Sequence, residues 1–98
     1  MPTNIEKEED ISPGEYYEDC SYHPCLCIRV ENSEVDGISL VDGSYPRSCD
    51  IGACGIRKLT YKEALRWKFR GPSDVKLEDK YKWWPLDTEF TEMYDPKS

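Results

Sequence analysis

Cys20 and Cys25 are separated by four residues, as are Cys49 and Cys54, and 23 residues lie between the two pairs. Paired thiolates at short spacing suit a tetrahedral metal site, in which zinc sits about 2.3 Å from each sulfur. Two loops presenting two thiolates each can close such a site, and a closed site is structural. His23 and Cys27 crowd the first pair and stand as alternates. On an extended strand Cys25 and Cys27 point to the same face, so Cys27 can replace Cys20 as the fourth ligand. Cys27 equally suits a small buried hydrophobe, and His23, placed before Pro24, suits a loop residue hydrogen-bonded to backbone. The expected ligands are therefore Cys20, Cys25, Cys49 and Cys54. Zn2+ is the expected ion and an iron–sulfur cluster the alternative, because four thiolates fit either.

The second loop, Cys49-Asp-Ile-Gly-Ala-Cys54-Gly55, resembles a zinc-ribbon knuckle in ending Cys-Gly. A small residue after the ligand lets backbone N–H groups turn toward the sulfur. The resemblance covers those seven positions, and the spacing departs from the usual two residues. Cys25-x-Cys27 with Cys49-Asp50 is similar in part to the small CDGSH iron–sulfur proteins. The intervening segment is too long, Pro46 stands one position off and the terminal Gly-Ser-His is absent, so that family does not fit.

Five cysteines in 98 residues are also a disulfide density, but an odd count leaves one thiol unpaired in any scheme. Met1 to Asp10 carries neither the basic start nor the apolar stretch of a secretory signal, and no run approaches the roughly 20 apolar residues of a membrane span. The expectation is a cytoplasmic chain with reduced thiols, where metal ligation is the natural use of cysteine. A chain this short, 38% hydrophobic and 34% charged, builds one core with a thin margin and benefits from a staple.

Around the cysteines, residues 1–15 are acidic and poor in aromatics and read as a mobile tail. Leu26, Ile28 and Val30 alternate with Cys27, Arg29 and Glu31, the pattern of a half-buried strand with the aliphatic residues inward. Asn32 to Gly37 carries turn residues, and Ile38 to Val41 reads as the return strand of a hairpin. Residues 43–55 read as a loop needing an external constraint. Thr60-Tyr-Lys-Glu63 is a capping box and Gly71-Pro72 a stop, so a helix is predicted between them with Tyr61, Ala64, Leu65 and Phe69 on its core face and Trp67 off it. The predicted fold is α+β: a metal-stabilised domain over 16–86 with a short antiparallel hairpin sheet, one main helix and irregular loops. Residues 87–98 form an acidic aromatic segment after it, in which Phe90 and Tyr94, like Trp83 and Trp84, are expected to cover the core.

The formal charge of −7 is uneven: residues 1–55 carry 3 basic and 12 acidic groups, 56–82 carry 9 and 4, and 83–98 carry 1 and 4. Within the basic block Lys58, Lys62, Arg66 and Arg70 recur every four residues, one row at helical spacing. With Arg57 they form a candidate surface for an acidic protein or a nucleic acid. The plainer reading is a solvated face or one that meets the protein's own acidic groups. Neither paired carboxylates in a catalytic arrangement, nor a phosphate loop, nor a serine elbow is found. The expected function is a monomeric zinc-binding interaction module of the cytoplasm. The alternative is a metal-dependent enzyme or an iron–sulfur redox protein using the same cysteines.

Overall fold

Asn32 and Ser33 lie in the left-handed region, with φ of 53° and 60°, as a two-residue hairpin turn requires. They join β3 (Pro24–Glu31) to β4 (Glu34–Ser39) in a computed structural model that describes residues 1–84. The turn is tighter than the sequence suggests, and Val35 to Gly37 belong to the returning strand. Gly37 is required there. A Cβ would come within 2.5 Å of both the Leu26 carbonyl oxygen and the Tyr17 hydroxyl.

The hairpin is the middle of a larger sheet. β1 (Thr3–Asn4), β2 (Tyr16–Glu18), β5 (Cys49–Asp50) and β6 (Arg57–Leu59) complete six strands in the order β1-β6-β2-β3-β4-β5, every pairing antiparallel. The α+β class therefore holds, with a sheet wider than the expected hairpin. The acidic start is not a tail. Thr3 pairs with Lys58, Asn4 with Arg57, and Ile5 N–H donates to the Ile56 carbonyl at 3.0 Å. Two isoleucines, Ile5 and Ile11, are buried among otherwise charged neighbours and anchor this segment in the core.

A register shift between Cys27 and Arg29 corrects the expected strand faces. Cys27 opposes Gly37, Arg29 opposes Asp36, and Ile28 is the extra residue of a β-bulge. Before the bulge the odd residues Cys25 and Cys27 point inward, and beyond it Val30, in register with buried Val35, packs against the same core. Leu26 is only half-buried and Ile28 is 46% exposed. The core on this face is Ile5, Ile11, Tyr17, Cys25, Cys27, Val35, Cys49 and Ile56.

The opposite face carries α1 (Tyr61–Arg70), seated on Leu59, Tyr16 and Leu40 through Ala64 and Trp67. Its predicted ends are both present. Glu63 N–H donates to Thr60 Oγ1 at 3.1 Å, Thr60 N–H donates to Glu63 Oε1 at 2.8 Å, and Gly71 takes φ of 80° at the C-terminus. The core stripe differs. Trp67 is buried and donates its Nε1–H to Glu18 Oε2 at 2.7 Å, whereas Tyr61 is 61% exposed. Trp83 Nε1–H donates to the Trp67 carbonyl at 2.8 Å, and the Trp84 ring lies over Gly71, so both cap the end of this helix. Leu86, Phe90, Tyr94 and the whole acidic segment 87–98 lie outside the described residues. No described helix is long and apolar enough to cross a membrane.

Candidate metal centre

Asp19 organises the turn between β2 and β3. Its Oδ1 accepts the Ser21 N–H at 2.9 Å and the His23 N–H at 3.0 Å, and the Tyr22 N–H closes on the Asp19 carbonyl at 3.0 Å. This aspartate turn places Cys20 at the tip with its side chain exposed. Asp19 Oδ2 then receives Arg47 through Nε and Nη2, each at 2.8 Å, and the pair is largely buried. Arg47 is held in turn by its own backbone: its N–H donates to the Gly37 carbonyl at 2.7 Å, and its carbonyl accepts the Tyr17 hydroxyl at 2.6 Å. The result fixes Cys49, two residues on, beside Cys20. Cys54 is brought round by the turn from Asp50, whose carbonyl accepts the Cys54 N–H at 3.1 Å.

The Sγ atoms of Cys20, Cys49 and Cys54 all lie within 4.8 Å of one another, and those of Cys20 and Cys49 are 3.6 Å apart. Tetrahedral zinc with bonds of about 2.3 Å holds its sulfurs about 3.8 Å apart, close to the Cys20–Cys49 separation. Three cysteines are thus positioned to hold a metal ion. Burial pushes the Cys20 and Cys49 thiols up, helped at Cys20 by its hydrogen bonds to Cys54 and Cys49.

The remaining candidates stand apart from this group. Cys25 Sγ contacts the His23 carbonyl at 3.4 Å and Cys27 Sγ the Arg29 carbonyl at 3.8 Å, both fully buried. Burial raises both thiols, Cys27 to about 11. His23 Nδ1 lies 3.2 Å from Ser39 Oγ, and its half-buried ring meets Trp83 edge-on at 4.7 Å. Burial lowers its pKa, and the nearby Arg47 cation adds to that.

The basic row is divided between a strand and the helix. Arg57 is clamped by Glu18 and Asp74, with contacts of 2.5 to 3.0 Å, and Lys58 pairs with Glu15 at 2.8 Å. Lys62 is exposed, Arg66 is half-buried with an Nε that finds no partner among the described residues, and Arg70 ends the helix. Sequence reasoning missed Asp19 and Arg47. Asp19, two residues before Ser21 and next to Cys20, carried the signal of an aspartate turn; its pairing with Arg47, 28 residues away, carried none.

Comparison with models of known protein families, with curated proteins and with solved structures finds no match to this chain.

Proposed function

We propose that the chain is a small zinc-binding module whose ion, held by Cys20, Cys49 and Cys54, fastens the β2–β3 turn to the loop ending at Cys54. The approach of three sulfurs from distant positions to within 4.8 Å carries this reading. Soft thiolate sets select zinc or iron–sulfur centres, and the common iron–sulfur clusters use four cysteines, so a group of three favours zinc. The role is structural because the bridged segments are short of regular pairing: β5 has only two residues, and the turn from Asp50 to Cys54 follows it directly. An ion there contributes folding energy.

As an interaction module it would offer a protein or nucleic-acid partner the exposed Lys62 on α1. Arg57 and Lys58 are held by internal carboxylates and serve the fold.

Elemental analysis of protein purified without chelator tests the metal reading. The expected content is about one zinc per chain, lost in Cys49→Ser and Cys54→Ser and kept in Cys27→Ser. A native protein free of metal, or one whose zinc survives replacement of Cys20, Cys49 and Cys54 together, would overturn it.

A further inference from the structure

Zinc takes four ligands, and among the described residues only Cys20, Cys49 and Cys54 bring a ligand atom of His, Cys, Asp or Glu into the group. Cys25 and Cys27 are buried in the same core cluster as Cys49, but neither brings its sulfur into the group. His23 brings neither ring nitrogen into the group; its Nδ1 lies against Ser39 Oγ and its ring meets Trp83. The group is not sealed on its outer side. Cys20 is exposed, and a cleft of about 270 Å³, walled by Cys20, Cys49, Asp19 and Arg47, opens beside it. A water molecule occupies about 30 Å³, so the cleft has room for a larger guest.

We propose that the fourth coordination position opens into this cleft and exchanges its water for a small external thiolate. The inference rests on the metal reading above. Three thiolates make the centre soft, which favours sulfur over a hard oxygen ligand. Arg47 lines the cleft, and of its five N–H donors two serve Asp19 and one reaches Ser44 Oγ at 3.2 Å, which leaves two uncommitted among the described residues for an anionic guest. In the exchange the zinc–oxygen bond breaks, a zinc–sulfur bond forms, water leaves and the thiol proton passes to solvent; no electron is transferred.

The test uses the full chain loaded with cobalt(II) in place of zinc, without oxygen, titrated with mercaptoacetate and, separately, acetate. The visible spectrum reports the geometry, and thiolate charge-transfer intensity reports the number of sulfurs. Saturable binding of mercaptoacetate, with that intensity rising by about one-third as three sulfurs become four and with no response to acetate, supports the proposal. An unchanged spectrum overturns it, as does a metal-dependent dimer in which a second copy fills the position. Failure to take up cobalt overturns the metal reading itself, a result distinct from a bound but unresponsive ion.

Discussion

Among the five cysteines, approach to the three-sulfur group separates two roles, since Cys49 is buried with Cys25 and Cys27 in one core cluster. Cys25 and Cys27 are sealed in the core, their thiols raised by desolvation, while Cys20 stands at the surface over Cys49 and Cys54. The equal four-residue spacings suggest two equivalent pairs, but Cys20 sits in a turn and Cys25 in a strand, so their side chains diverge. Parity alone correctly places Cys25 and Cys27 on one face; it does not say that the face is the core. Cys25→Ala should keep the metal and cost about 1 kcal/mol of stability, the scale for removing one buried heavy atom. Denaturant unfolding of the metal-loaded variant checks this, with metal content measured on the same sample.

Local elements were legible and long-range ones were not. The cap of α1 could be read because Thr60 and Glu63 satisfy each other within one turn, and its stop because Gly71 carries the required positive φ. The bulge at Ile28 and the edge strand β1 depend on partners across the sheet, which no short window contains. Trp67 was misplaced for the same reason: its indole turns inward to reach Glu18, 49 residues away. The element that matters most to the site is the aspartate turn at Asp19 with its Arg47 clamp. Asp19→Asn keeps the side-chain shape but removes the charge that holds Arg47. Partners that orient metal ligands typically account for about 10 to 100-fold in affinity. A competition titration against a chelator should therefore show weaker zinc binding of that order, with the helix signal in circular dichroism unchanged.

Across the whole molecule, the uneven charge resolves into internal pairing. Glu15 and Glu18 from the acidic half meet Lys58 and Arg57, so two cations of what looks like an outward basic surface belong to the sheet's own support. The opening residues belong to the same structure. Deleting residues 1–11 removes β1 together with Ile5 and Ile11, each buried side chain contributing about 1.5 to 3 kcal/mol. Set against a total of about 5 to 15 kcal/mol for a domain, the loss should lower the thermal midpoint strongly or unfold the chain, as followed by circular dichroism. A true mobile tail would leave it unchanged. The three-sulfur centre is tested most directly by X-ray absorption at the zinc edge of the native protein, which counts the atoms bound to the ion. The account predicts three sulfurs at about 2.3 Å and one lighter atom at about 2.0 Å; a shell of four sulfurs, with Cys25 required for the fourth, would contradict it.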